Sequence, residues 1–228
     1  MHNSVTKKPS LDEKSWEVLT IPIETDSNAS SVHLRIKTIL EIILCCLALF
    51  LIGIWLFPII ALIIKITSQG PVFFKQLRHG KNKVPFYCYK FRTMIMNDEA
   101  DILQAKKGDS RITKFGAMLR KSSMDELPQL FNVLKGEMSL VGPRPHAVPM
   151  NEIFTKEVPG YMNRHVMKPG LTGLAQSKGS RGEMKDYNDL NQRYRLDMFY
   201  IKNWSLGLDL KILLWTVEEL FFNNKKAY

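Results

Sequence analysis

Residues 42–64, IILCCLALFLIGIWLFPIIALII, hold 23 side chains and not one charge. As a helix rising about 1.5 Å per residue, the run reaches roughly 34 Å, enough for a hydrocarbon core about 30 Å thick. A segment of this kind ties the chain to a membrane, and the rest must be arranged around it. Two features disturb a plain single crossing. Pro58 lies inside the run, where it removes a backbone hydrogen bond and bends a helix. Basic residues flank both ends, Arg35 and Lys37 before it and Lys65, Lys75, Arg78, Lys81 and Lys83 after it. Basic flanks stay on the cytoplasmic side, so one crossing would strand one of the two sets. A helix that enters, breaks near Pro58 and returns to the same face resolves the conflict. A true span remains the alternative, because a break in lipid must find partners for its freed carbonyls.

This reading divides the chain into a polar extension over residues 1–33, a membrane helix over 34–67 and a cytoplasmic domain over 68–228. The extension has no early apolar core behind a positive start, which argues against a cleavable leader. Of the net charge of +10, most falls just after the apolar run: residues 65–121 carry thirteen Lys and Arg against four acids. Such a patch attracts anionic lipid, phosphorylated substrates or nucleic acid, although a solvated basic flank accounts for it too. Cys45, Cys46 and Cys88 have neither disulfide nor metal spacing and read as packing residues in a reducing setting.

The cytoplasmic part reads as α+β, mostly helical. Residues 71–76 and 85–92 are aromatic and β-prone around a turn-like 78–83, which predicts a hairpin. Its alternation puts Lys90 and Arg92 on one face, where they either share an anion or guard a strand edge. Residues 97–106 predict a short polar helix. Residues 112–120 predict an interfacial or core helix with Ile112, Phe115, Met118 and Leu119 on one face. Further on, 186–202 predicts a helix with Tyr187, Leu190, Tyr194 and Met198 inward. A last helix capped by Ser205 would carry Leu206, Asp209, Leu210, Leu213, Val217 and Leu220 at helical spacing, with Trp215, Phe221 and Phe222 placed for a membrane surface or a core.

The stretch at 120–145, RKSSMDELPQLFNVLKGEMSLVGPRP, gathers the chemistry. Ser123 to Glu126 spells a capping box. In that register Pro128 would fall at the fifth helical position and damage the first turn. Starting the helix near Glu126 or Leu127 puts Pro128 in the tolerated first turn. Asp125 and Glu126 then sit at or before the cap in an open loop, ahead of a buried face of Leu127, Leu130, Phe131 and Leu134. Adjacent carboxylates can divide labour between attack or metal binding and orientation or proton handling. Phosphoryl transfer needs cations around them, and Arg144, held between Pro143 and Pro145, and Arg120 are at hand.

GPVFFKQ (70–76), YKFRTM (89–94), LRKSSMDELPQLFNVLKGEMSLVGPRP (119–145), KPGLTGLAQ (168–176) and YIKNWSLGLDLKIL (200–213) occur here in that order. Over about residues 35–220 the chain resembles the bacterial sugar transferases, the monotopic phosphoglycosyl transferases. The resemblance implies a re-entrant membrane helix broken at Pro58 and a small cytoplasmic catalytic domain with a hairpin and interfacial helices. It implies transfer of a sugar 1-phosphate from a UDP-sugar to undecaprenyl phosphate at the cytoplasmic face of the bacterial inner membrane, with Mg²⁺ as cofactor. Asp125 would be the nucleophile, Glu126 its helper, both of them metal ligands, and Lys90, Arg92, Arg120 and Arg144 would bind phosphate. The segments at 144–152 and 168–176 look most like members that use UDP-glucose or UDP-galactose. A homodimer is compatible with the resemblance, and nucleic acid is not expected as a partner. Glu41 stands where the family usually has Asp, and Phe57 where it often has Ser before the proline. Larger members carry extra transmembrane helices, so the chain resembles the catalytic unit. A membrane-bound, metal-dependent phosphodiesterase and a non-enzymatic anion-binding module are the rival readings.

Overall fold

The computed structural model describes residues 29–96, 108–180 and 186–222. The polar extension before residue 29 and the helix expected over 97–106 lie outside the described residues. The described fold is α+β and mostly helical, with two small two-stranded sheets and one N-terminal apolar helix.

That helix runs as α1 (Ala29–Ala48), a π-helical turn (Leu49–Gly53) and α2 (Ile54–Thr67). Pro58 lies inside α2. It has no N–H to give the carbonyl four residues back, and a widened turn is a common way for a helix to absorb such a fault. Here the wide turn falls just ahead of the proline, closed by Ile54 N–H on the Leu49 carbonyl, and Gly53 and Ile54 keep right-handed helical dihedrals. Only 17% of the most apolar window is buried. Trp55, Leu62 and Ile66 are open on a surface far too apolar for water.

The inward side of the helix is tied to the rest of the protein at both ends. Near its start, Lys37 Nζ donates to the Val141 carbonyl (2.8 Å), Asp209 Oδ2 (2.7 Å) and Tyr200 Oη (3.1 Å). Glu41 accepts from Ser139 Oγ at 2.5 Å and from the Leu140 amide at 3.0 Å. Near its end, Ile60 and Ile64 bury against Phe91 and Leu119. Phe57 packs edge-on to Phe91, with centroids 5.1 Å apart.

The hairpin pairs β1 (Phe73–His79) with β2 (Pro85–Phe91), Phe73 opposite Phe91 and His79 opposite Pro85. The first strand runs beyond the expected 71–76, because Arg78 pairs with Phe86 and also bridges to Ala147. α3 (Lys114–Lys121) starts on a Thr113 cap and buries Leu119, with Phe115 packed beside it. Ile112 instead bridges to Met94 ahead of this short helix, and Met118 points outward, contrary to expectation. α4 (Gln129–Leu134) buries Leu130 and Val133. Phe131, expected inward, is partly exposed and lies against Phe57 of the apolar helix, 5.8 Å between centroids. The buried Asn132 side chain extends the hairpin edge, accepting from Tyr89 N–H at 3.0 Å and donating to the Tyr87 carbonyl at 2.7 Å.

β3 (Ser139–Val141) and β4 (Gly170–Thr172) pair in parallel. Around them lie α5 (Val148–Glu157), the short α6 (Leu174–Ser177), α7 (Tyr187–Lys202) and α8 (Leu206–Phe222). Asp186 caps α7 and Ser205 Oγ accepts the Leu208 amide at the start of α8. Tyr161, Leu190, Tyr194, Met198, Tyr200 and Ile212 form the largest core, so the inward face expected for α7 is the one observed. On α8, Asp209 and Ile212 turn inward while Leu210 and Val217 stay exposed. The Asp209–Lys37 contact sets that rotation. Trp215 packs on the core under the Lys178 ammonium, 3.5 Å from its centroid; the side chains of Phe221 and Phe222 lie outside the described residues.

The buried Lys37 ammonium has two counter-charges, Asp209 at 2.7 Å and Glu41 at 3.4 Å, so losing Asp209 alone should cost less than leaving a buried charge fully uncompensated, which costs about 3 kcal/mol or more. Asp209→Ala should therefore lower the unfolding free energy, read from urea titrations in detergent, by about 1–3 kcal/mol, and Lys37→Met, which strands both acids, should cost more.

Candidate active site

Ser123 ends α3 with a left-handed conformation, φ +57°, and makes no side-chain cap bond. The capping-box alternative is therefore absent. Met124–Glu126 forms one 3-10 turn, and Pro128 stands at the N-cap of α4, where no intrahelical donor is needed. The acids precede the helix as the proline argument requires. They are not in an open loop, however, since only 6% of Asp125 is exposed.

Two cations from separate elements meet on Glu126. Lys90, from β2, donates to Oε1 at 2.6 Å. Arg144, from the loop after β3, reaches Oε1 at 2.5 Å and Oε2 at 3.1 Å, a two-pronged contact. Burial pushes the Glu126 carboxyl up, but Arg144 and Lys90 outweigh it and hold it well below the ordinary carboxylate value. Asp125 differs. It has no hydrogen bond or ion pair to a described residue, and burial pushes its carboxyl up to about 6 against the pull of Lys90. The Arg120 charge also reaches Asp125, while its Nε is steadied by Thr93 Oγ1 at 3.1 Å. Asp125, Glu126, Lys90, Arg120 and Arg144 are thus brought together. Arg92 is not. It caps the end of the apolar helix, bonding the Ser68 carbonyl (2.8 Å), Ser68 Oγ (3.0 Å) and the Gln69 carbonyl.

Arg144 is positioned by its backbone. A Cβ on Gly142 would sit 2.6 Å from the Lys168 carbonyl, and one on Gly170 would sit 2.1 Å from the Gly142 nitrogen. Lacking both, the two strands approach closely, with Gly142 N–H on the Thr172 carbonyl (2.9 Å) and Gly170 N–H on the Pro143 carbonyl (3.0 Å). Two further arginines hold successive carbonyls: Arg164 Nη2 takes that of Arg144 (2.6 Å), and Arg78 Nη1 that of Pro145 (2.7 Å). Arg164 is itself paired with buried Asp197 at 2.6 Å and bonded to Tyr161 and His146. Sequence reasoning missed Arg78, Arg164, Asp197 and His146 as supports, because their partners lie far along the chain and no local spacing announces them.

Among the described residues no cluster of three His, Cys, Asp or Glu side chains could cage a metal. Mg²⁺ seldom needs one, taking one or two carboxylates together with substrate phosphates. The open carboxylate of Asp125 and the lone-pair direction left on Glu126 fit that role.

A family model for bacterial sugar transferases matches residues 32–223. The chain is 45% identical over 221 residues to the UDP-glucose:undecaprenyl-phosphate glucose-1-phosphate transferase of Klebsiella pneumoniae, covering 96% of this chain and 47% of that protein. It is 47% identical over 195 residues to the protein of the same name from Xanthomonas campestris pv. campestris, covering 84% and 40%. A UDP-N-acetylgalactosamine-undecaprenyl-phosphate N-acetylgalactosaminephosphotransferase of Aeromonas hydrophila is 45% identical over 161 residues, 70% and 38% of the two chains. The chain spans half or less of the length of these curated relatives.

A carboxyl near 6 in the fold and at an ordinary 3.8 when exposed binds its proton more tightly when folded. Its cost is absent below about pH 4, grows through about pH 6 and is complete above, at roughly 3 kcal/mol. Asp125→Asn should therefore stabilise the protein by about that much at pH 7.5 and by nothing at pH 4, as read from denaturant midpoints.

Proposed function

The chain belongs to the bacterial sugar transferase family, and on that premise we propose that it transfers a hexose 1-phosphate from UDP-glucose or UDP-galactose to undecaprenyl phosphate. UMP is released, and the lipid-linked sugar starts an exopolysaccharide, O-antigen or capsule chain. The observation that carries this reading is the inequality of the two acids. Asp125 is buried and has no hydrogen-bond partner among the described residues, with a carboxyl pushed up to about 6, beside a Glu126 whose charge is already matched by Lys90 and Arg144.

An Asp125 oxygen attacks the sugar-bearing phosphorus. The bond from that phosphorus to the bridging oxygen breaks, and UMP leaves with the electron pair. A phosphate oxygen of the lipid acceptor then attacks the same phosphorus and returns Asp125 as a carboxylate. Desolvation makes Asp125 a stronger base, and so a stronger nucleophile, than an exposed carboxylate. Lys90, Arg120 and Arg144 neutralise the phosphate oxygens as charge spreads over them. Arg92, at the end of the membrane helix, serves phosphate indirectly by fixing the strand that carries Lys90. Glu126 stays ionised and keeps two cations aimed at one point. Asp125 and Glu126 are the residues that would hold Mg²⁺, which would supply further neutralisation of phosphate charge.

The membrane part of the proposal is a re-entrant helix at the cytoplasmic face of the inner membrane. In its support, Lys37 near one end and Ile64 near the other are both buried against the same globular body. Two ends held on one body favour a helix that enters and returns on the face carrying that body. The two acids and the three cations grouped with them, Lys90, Arg120 and Arg144, come from one chain.

Incubation with UDP-sugar labelled in the sugar, without lipid acceptor, should leave label on the protein, and Asp125→Asn should take up none. Free labelled sugar phosphate under those conditions would instead indicate a phosphodiesterase. The rate of adduct formation should rise with pH through about 6 as Asp125 ionises. Single cysteines placed at Arg35 and at Lys75 should both react with a reagent confined to the cytoplasmic side; opposite-side reaction would sink the re-entrant topology.

A further inference from the structure

Gln129 opens α4 and is 1% exposed, and its Nε2 has no hydrogen-bond partner among the described residues. A buried amide with its donors unmade costs stability, and folded proteins keep few of them. Asn132, one turn further along the same helix, shows the ordinary case. Equally buried, it accepts from the Tyr89 amide and donates to the Tyr87 carbonyl and to Glu137 Oε2, so both ends of its side-chain amide are used.

The backbone places the Gln129 amide near the acids. Leu127 and Pro128 keep right-handed helical dihedrals between the 3-10 turn and α4, so the chain winds without a break from Met124 to Leu134. At about three to four residues per turn, Asp125, Gln129 and Asn132 fall on one side of it, and all three are buried. That side meets β2: Asn132 is bonded to Tyr87 and Tyr89 there, and Glu126, next to Asp125, to Lys90. Helical side chains lean toward the N-terminus, which carries Gln129 toward the turn of Asp125. Asp125 too has no hydrogen-bond partner among the described residues. Two polar groups a turn apart on one buried side, each without a bond, call for a third group that meets both.

Resting on the proposed transfer reaction, we propose that Gln129 is a further catalytic residue, whose Nε2–H donates to a nonbridging oxygen of the phosphoryl group as that group passes onto Asp125. The amide moves no proton. The bond from an Asp125 oxygen to phosphorus forms, the bond to the bridging oxygen breaks, and UMP takes the electron pair. The Nε2–H hydrogen bond strengthens as the nonbridging oxygen gains charge. Lys90 and Arg144 are drawn to the Glu126 carboxylate, whereas the uncharged amide of Gln129 is held by no described residue. A donor already in place and shielded from water needs no reorganisation at the moment of reaction.

The test is single-turnover adduct formation from labelled UDP-sugar by the full chain in detergent, without lipid acceptor. Gln129→Met keeps the length of the side chain and removes the donor. It should lower the maximal rate by about tenfold to a hundredfold, with the half-saturating UDP-sugar concentration changed by less than about twofold. Its melting temperature should stay level or rise, because an unpaired buried amide has gone. A folded Gln129→Met with the wild-type rate, or with a defect confined to the half-saturating concentration, overturns the proposal. A Gln129→Met chain that melts lower or fails to fold overturns it as well, since the amide then serves packing. Each of these leaves the transfer reaction standing, because the wild type still forms the adduct. Absence of adduct in the wild type removes the transfer reaction and this role with it.

Discussion

A carboxylate taken out of water must be met by positive charge, and at Glu126 two cations come from elements far apart in the chain. That requirement assembles the site. It draws the hairpin strand of Lys90, the turn before α4 and the loop of Arg144 to one point. Arg144 can serve only if its own loop is rigid, which accounts for the glycine contact between β3 and β4 and for the arginines on the Arg144 and Pro145 carbonyls. Arg164 in turn leans on Asp197 and on the tyrosine core. The dependence thus runs from one buried charge outward to the largest hydrophobic cluster. Asp125, one residue away, is less fully compensated: burial, helped by the Glu126 charge, outweighs the pull of Lys90, Arg120 and Arg144, and the two carboxyls are pushed apart in acidity.

Much of this was legible in the chain. An uncharged run of 23 residues reads the same in any context, and Pro128 located the start of α4 because a missing N–H is tolerated in few places. The acid pair and its arginines were visible as a motif, with Lys90 found through strand alternation. Alternation failed for Arg92, because it assigns a residue to a face and says nothing of what that face meets two residues on. Here Lys90 meets a carboxylate, and Arg92 meets the carbonyls of an ended helix.

Periodicity also misled at Met118 and Phe131. Their helices have 8 and 6 residues, about two turns or less, so neighbours and not the pattern decide which side is covered. Phe131 stays partly open because it turns toward the apolar helix at Phe57. The expectation of an open loop at Asp125 failed for a related reason. Local sequence sets the backbone of the turn, while the burial of its side chain is supplied by strands and loops that arrive from elsewhere.

The apolar helix carries one last consequence. It supplies Cys45 to the cluster around Cys88 and Met138, Ile60 and Ile64 to the cluster around Phe91 and Leu119, and Lys37 to Asp209. Cutting it away to obtain a water-soluble catalytic fragment would open two cores and orphan a buried acid. The apolar helix is a structural part of the protein body and not a detachable segment. Grafting a foreign hydrophobic helix in its place would have to reproduce those contacts before the remainder could hold its shape.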